Sequence, residues 1–171
     1  MKSSRFLAIA SLVVLAVIAR LIPHPFNFTP VGAAALFAGA MLDRKRFAFI
    51  VPLAAMLVSD AVIGFHSAMP VVYGCFAAAV CIGFLLRGRA RSPLAVAAGA
   101  VSSATLFFIV TNFYVWAASA LYPHTFAGLV TCYIAAIPFY GNQLAGDVMY
   151  AALLFGGFAF AERRFTNLAA V

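Results

Sequence analysis

Long apolar runs separated by short polar or basic loops make up most of the chain. They cover residues 5–22, 29–42, 47–65, 68–87, 93–121 and 142–161, and the second run is the shortest. A helix that crosses a bilayer needs about 20 mostly apolar residues, and these runs are too long for the strands of a membrane barrel. We therefore predict an all-α polytopic membrane protein of about six transmembrane helices, in which residues 1–171 form a single transmembrane domain.

The segment between the fifth and sixth runs is apolar but interrupted. Residues 123–141 contain Pro138 and end at Gly141. Proline removes a helical hydrogen bond and glycine weakens a helix. We predict a separate re-entrant or interfacial helix here, which would cap the outer mouth of the protein.

Composition supports a membrane location. Apolar residues make up 66% of the chain and charged residues 9%, against roughly 25% charged in an ordinary soluble domain. A soluble chain of this size has too much surface to hide so many apolar side chains, so lipid is the expected partner. The net charge of +7 is divided among short clusters and forms no continuous basic face, so no nucleic-acid partner is predicted.

The basic residues predict the orientation. All but one fall before, between or after alternate runs: Lys2, Arg5, Arg44, Lys45, Arg46, Arg87, Arg89, Arg91, Arg163 and Arg164. Arg20 alone lies on the other side. Because cytoplasmic loops carry the excess of Lys and Arg, we predict cytoplasmic N and C termini and a multi-pass membrane protein.

Two carboxylates inside apolar runs are the main candidates for function. Asp60 and Asp147 both fall in the predicted outer half, where a buried charge needs a partner or a water-filled cavity. Arg20 is a candidate ion-pair partner for either of them, and a pair that only fixes helix packing is the simpler alternative. Asp43 and Glu162 accompany basic clusters and are predicted surface partners.

Other polar and aromatic side chains are expected at the same depth. The three histidines all follow odd-numbered runs, and each is either a solvated loop residue or part of an outer vestibule. A stripe along the fifth run has helical spacing and consists of Thr105, Phe108, Asn112, Trp116 and Ser119. Interhelical hydrogen bonding and an interfacial aromatic belt are the alternatives for this stripe. We predict that its outer half faces the same pocket as Asp147.

The predicted substrate-binding set is therefore His24, Asn27, Asp60, His66, Asn112, Trp116, Asp147 and Tyr150. Asn27 precedes the second run, where helix capping is its commoner role. No HxxxH or HExxH spacing occurs, so neither a metal site nor a cofactor is predicted.

Several motifs resemble a known family. They are His24-Pro25-Phe26-Asn27-Phe28-Thr29-Pro30-Val31-Gly32, Ser59-Asp60 with Gly64-Phe65-His66, Thr111-Asn112-Phe113, and Pro138-Phe139 with Gly146-Asp147. Through these, residues 20–157 resemble a bacterial family of proposed transport proteins without assigned substrates. That family is similar to the substrate-binding S components of energy-coupling-factor (ECF) vitamin transporters.

The resemblance implies a location in a bacterial cytoplasmic (inner) membrane, a function and partners. S components have six helices and cytoplasmic termini, and they bind vitamins or metals near the outer face beneath their loops. It implies a small-molecule ligand and a transmembrane coupling subunit with ATPases. Where the ligand is a corrinoid, it makes Cys75 a candidate cobalt ligand. The Ala-x-x-x-Ala docking motif of the first helix is not intact, since Leu12 follows Ala8 at the fourth position, so a solitary importer is the alternative.

Two other classes of function remain open at this point. The chain could be a scaffold within a cell-envelope complex, or a membrane enzyme that uses Asp60, Asp147 and His66 as acid–base groups. No nucleophile motif and no G-x-x-x-x-G-K-[ST] motif for ATP is present, so an enzyme is not predicted.

Overall fold

The computed structural model describes residues 3–165, and this part of the chain is helical throughout. The helices are α1 (Ser3–Ile18, extended by a 3-10 turn at Ala19–Leu21), α2 (Val31–Met41), α3 (Lys45–Ile63), α4 (Met69–Leu85), α5 (Pro93–Ala118) and α6 (Phe126–Arg164). The predicted all-α class is confirmed. α1 with its 3-10 turn, α3, α5 and α6 are long and apolar enough to cross a membrane, whereas α2 and α4 are apolar but shorter. Lys2, which entered the orientation argument, lies outside the described residues.

The predicted separate helix at 123–141 is wrong, because α6 continues through it. α6 passes Pro138 and Gly141 without interruption for 39 residues, a length of about 58 Å at about 1.5 Å per residue. α5 packs beside this part of α6. The Tyr133 hydroxyl donates to the Ile109 carbonyl at 2.6 Å, and the Thr105 and Tyr140 hydroxyls lie 2.8 Å apart. A neighbouring helix of this kind lets an apolar helix tolerate proline.

The short helix α2 forms the centre of the bundle. It contacts each of the other five helices, and residues 31–39 are all buried. Its sequence is apolar on every side, which is the pattern of a helix surrounded by protein. At 11 residues it is about 16 Å long, roughly half the thickness of a bilayer core.

A side chain from outside α2 binds the carbonyl groups at its C-terminal end. Arg87, just after α4, donates from Nε to the Gly39 carbonyl at 3.1 Å and from Nη2 to the Leu42 carbonyl at 2.6 Å. Its guanidinium also lies 4.6 Å from the centre of the Phe84 ring. The last turn of a helix leaves carbonyls without helical partners and favours a positive charge. Arg87 supplies both hydrogen-bond donors and a positive charge to this end of α2.

α2 and α4 approach each other closely at two glycines. A Cβ built on Gly39 would lie 3.0 Å from the Gly83 Cα and would overlap the Val80 carbonyl. A Cβ on Gly83 would overlap the Leu36 carbonyl in the same way. The absence of both side chains therefore sets the distance between these helices.

The basic loops gather at one end of the bundle, here called the Glu162 end. Glu162 forms ion pairs with Arg5 of α1 and with Arg91, the latter at 3.5 Å. Lys45 and Arg87 both lie over the Phe84 ring. Glu162 itself is buried, so its prediction as a surface partner is wrong. It lies where three segments meet, and its carboxylate pairs with two of the converging cations. The opposite end, which carries Arg20, is called the Arg20 end.

We predict that Gly39→Ala destabilises the protein, whereas Gly74→Ala does not. The first change forces α2 and α4 apart, and overpacking of this kind costs about 1–3 kcal/mol. Gly74 lies on α4 as well, but a Cβ there meets open space, so alanine should be neutral or slightly stabilising. Thermal unfolding of the two variants in one detergent measures the difference. Equal midpoints would show that the close approach of the two helices is unimportant.

Candidate functional site

A polar network joins three helical segments at the Arg20 end. Arg20 Nη1 donates to Asp60 Oδ1 at 2.8 Å and to the Ser59 hydroxyl at 3.0 Å. The Tyr73 hydroxyl of α4 donates to Asp60 Oδ2 at 2.7 Å. Both Asp60 oxygens are therefore bonded, one to an ion-pair partner and one to a neutral donor. Of the two partners that the sequence left open for Arg20, the structure selects Asp60.

Asp147 of α6 lies against the first turn of α2. Its residue is 2% exposed, and its carboxylate rests so close to Gly32 that a Cβ there would overlap it. The Ala33 N–H and the Gln143 side chain are its polar neighbours. Pro30, the N-cap residue of α2, supplies no side-chain cap. Asp147 therefore places negative charge where the helix dipole and the free N–H groups of α2 favour it.

One carboxylate oxygen of Asp147 lacks a hydrogen-bond partner in the described part of the chain. Oδ2 is buried and has no hydrogen-bond partner within residues 3–165. Buried polar atoms nearly always have a partner, and a carboxylate without one is especially costly. This atom therefore marks a place where a bound group is expected.

A cavity of about 270 Å³ adjoins this carboxylate. Its polar walls are Arg20, Asn27, Thr29, His66, Gln143 and Asp147, and its apolar walls are Val31, Gly32, Val72, Phe76 and Phe107. Six of these eleven lining residues are polar, a larger share than in the usual small-molecule site, whose walls are mostly apolar with a few placed polar groups. Opposite charges on Arg20 and Asp147 suit a polar ligand with a hydrogen-bond donor or a positive group directed at Asp147.

The loop between α1 and α2 is held over the cavity by α6. The Asn142 side chain donates to the Phe26 carbonyl at 3.1 Å, and the Phe28 and Tyr150 rings are 5.8 Å apart. Asn27 has a φ of 62°, in the left-handed region that asparagine tolerates better than most residues. This backbone conformation belongs to a residue whose side chain lines the cavity. The loop is thus shaped around the site and does not merely link two helices.

Three of the predicted substrate-binding residues meet at this site, together with the predicted ion-pair residue. Asn27, His66 and Asp147 line the cavity together with Arg20. Asp60 accepts a hydrogen bond from Arg20 but does not itself line the cavity. Its two partners give it a structural role, so the two acids that the sequence treated alike differ in the structure.

The other predicted residues lie elsewhere. Asn112 donates to the Phe108 carbonyl of its own helix at 2.7 Å, and Trp116 donates to the Pro123 carbonyl at 3.0 Å. Their stripe does lie on one face of α5, but that face is covered by the first half of α6, which the sequence did not place in this helix. A pocket shared by Trp116 and Asp147 is therefore wrong for this structure.

The remaining histidines and Tyr150 do not line the cavity either. His24 contacts the Arg20 and Pro25 carbonyls, at 3.0 and 2.9 Å. His124 packs against Trp116 with ring centres 5.7 Å apart. Tyr150 supports the cover loop through Phe28. The three histidines thus form no single vestibule.

Metal binding finds little support in the described part of the chain. Residues 3–165 contain no group of three or more His, Cys, Asp or Glu side chains placed to hold a metal ion. Cys75, the candidate cobalt ligand, is buried in α4 and is absent from the cavity wall.

Among the residues of the site and its network that were not in the predicted set, three contact the two acids. Gln143 lies four residues before Asp147 and so shares its helix face, a signal that helical spacing could have supplied. Gly32 and Tyr73 carry no comparable signal, because their contacts with Asp147 and Asp60 join helices far apart in sequence.

The fold and site belong to a family defined by sequence. The chain is a member of DUF6580, a family of unknown function, whose model matches residues 1–168. No curated protein and no solved structure gives a significant match to the chain.

We predict that Asp60→Asn lowers stability more than Tyr73→Phe. The first change leaves Arg20 without its counter-ion in a mostly buried position, and losing one partner of a buried pair costs up to about 3–5 kcal/mol. The second removes one neutral donor, worth about 0.5–1.5 kcal/mol. Thermal unfolding should rank the variants in this order. The double variant Arg20→Leu/Asp60→Leu should recover part of the loss, since no unpaired charge remains. If it is less stable than Asp60→Asn, the ion pair does not account for the effect.

Proposed function

We propose that this protein is an integral membrane protein that binds a small nutrient such as a vitamin near the outer face and takes part in its uptake, in the manner of an ECF S component. The observation that carries the proposal is that Asp147, a residue lining the cavity, keeps a buried carboxylate oxygen without a hydrogen-bond partner in the described part of the chain. A protein that only needed to cap α2 would require one carboxylate oxygen, and the second would be an unrelieved cost. A ligand in the cavity that donates to the Asp147 carboxylate would reduce that cost.

The placement of charge supports the orientation that uptake requires. Basic side chains surround the Glu162 end, whereas the cavity lies at the Arg20 end with Asn27 and His66 on its rim. With the basic end in the cytoplasm, six helices cross the membrane and the cavity faces outward. α2 is too short to span alone, so the loop after Arg20 completes its crossing within the protein, where irregular backbone is tolerated.

Energy for uptake would come from other proteins or from a gradient. The chain has no ATP-binding motif, so active import needs a coupling subunit with ATPases or a coupled ion. A scaffold or an enzyme is the alternative. For the enzyme, the site offers Asp147 and His66 on one wall but Asp60 already bonded at both oxygens.

The orientation predicts opposite accessibility of two exposed loop positions. In a background with Cys75, Cys81 and Cys132 changed to alanine, Ser67→Cys should react with an impermeant maleimide in intact cells. Arg89→Cys should react only after the cells are permeabilised. The reverse pattern would put the cavity on the cytoplasmic side and contradict uptake from outside.

We predict that a ligand with an amine or other cationic donor raises the thermal stability of the purified protein and that Asp147→Asn abolishes the shift. A stabilised ligand complex shifts unfolding by mass action. Asparagine keeps an oxygen for the Ala33 N–H, so the fold should survive. Loss of a charged hydrogen bond, about 1.5–3 kcal/mol, weakens binding by roughly 10- to 100-fold.

The screen uses thiamine, riboflavin, biotin, pantothenate, cobalamin and divalent metal ions. Trp116→Phe is the control, because Trp116 lies outside the cavity and its variant should bind like the parent protein. Gly32→Ala should impair binding as Asp147→Asn does, since its Cβ displaces the carboxylate. A protein that ignores the whole panel would favour a scaffold. A ligand that binds Asp147→Asn unchanged would place the site elsewhere.

A further inference from the structure

A second concave region lies between α5 and α6, toward the Glu162 end. Its volume is about 400 Å³. The floor consists of small or apolar residues, Val96, Ala97, Ala151, Ala152, Phe155, Gly156 and Ala159. A Cβ built on Gly156 meets no atom within 4 Å, so the groove is open at that point. None of its lining residues belongs to the cavity at the Arg20 end.

The groove has the length and surface of an acyl-chain site. Along α6 it runs from Val148 to Arg163, about 22 Å at about 1.5 Å per residue. That is longer than one bilayer leaflet, about 15 Å of hydrocarbon. Leu94, Leu153 and Phe160 are strongly exposed on the helices that form it. The surrounding surface is therefore suited to lipid tails.

Charge distinguishes this groove from an ordinary lipid-facing surface. Arg91 and Arg163 line its Glu162 end, and the Arg91 side chain is 80% exposed. Glu162, the acid beside them, also pairs with Arg5. The local balance is therefore positive at the one end that would lie at the cytoplasmic headgroups. Guanidinium groups bind phosphate with two parallel hydrogen bonds.

We propose that this groove binds one anionic phospholipid of the cytoplasmic leaflet, with an acyl chain along Ala152 and Gly156 and the phosphate between Arg91 and Arg163. Basic pockets between membrane helices on the cytoplasmic side bind anionic headgroups in this way. A packed partner helix would also fit small residues, but it would not supply the further negative charge that Arg91, Arg163 and Arg5 require beyond the single carboxylate of Glu162. The proposal rests on the membrane location and is independent of what the outer cavity binds.

The test compares lipid retention by native mass spectrometry of purified protein exchanged into equal amounts of phosphatidylglycerol and phosphatidylcholine. The protein should retain phosphatidylglycerol preferentially, with one molecule bound. Arg91→Gln/Arg163→Gln should reduce this preference by roughly tenfold or more, since each basic residue contributes to binding anionic lipid. Arg89→Gln/Arg164→Gln is the matched control, because it removes the same charge from exposed neighbours that do not line the groove.

A second variant tests the apolar part separately. Gly156→Leu fills the groove from a position where added atoms meet open space, so the fold should tolerate it, and phosphatidylglycerol retention should fall while both arginines remain. This variant decides the question if the arginine pair proves necessary for folding. Equal loss in the control pair would show general charge attraction and overturn the site. Equal retention of both lipids, or a stable dimer that Gly156→Leu dissociates, would overturn it in favour of a helix-docking face.

Discussion

The fold depends on burying a short helix in the centre of the bundle. α2 is surrounded on all sides, yet every helix leaves N–H groups free at its start and carbonyls free at its end. Asp147 from α6 and Arg87 from the segment after α4 meet these groups, with charges that also suit the helix dipole. Two distant parts of the chain are thereby fixed to one central element, and the remaining helices pack around it.

The same constraint explains why two similar acids differ. Asp60 joins Arg20 and Tyr73, and each of its two carboxylate oxygens accepts a hydrogen bond in this network. Asp147 serves α2 with part of its carboxylate, keeps a buried Oδ2 without a partner in the described residues, and lines the cavity. Counting partners for each oxygen separates a residue that holds helices together from one that can also bind a ligand. Depth and charge alone give the two residues the same description.

Much of the helical layout follows from hydrophobic runs, because a membrane-length helix needs little beyond apolar length. The Arg20–Asp60 pair was also within reach, since a buried acid requires a cation and one lay at the right depth. The length of α6 could not be predicted in this way. Pro138 weakens a helix locally, whereas the packing of α6 against α5 involves residues far apart in the sequence. That error also misplaced Asn112 and Trp116. The first half of α6 covers the face of α5 that carries these two residues, and the sequence predicted that segment as a separate helix.

α6 contributes residues to both proposed sites from one continuous helix. Asp147, Ala151, Leu154, Phe158 and Glu162 are buried along its inner face at helical spacing, whereas Val148, Ala152, Gly156 and Ala159 open onto the groove. Pro138 lies on the far side of Asp147 from Glu162, so no proline interrupts the stretch between them. A shift of this stretch would therefore move the cavity carboxylate and the Glu162 ion pairs together. Because Asp147 also contacts α2, such a movement would be opposed by the close approach of α2 to α4 at Gly39 and Gly83.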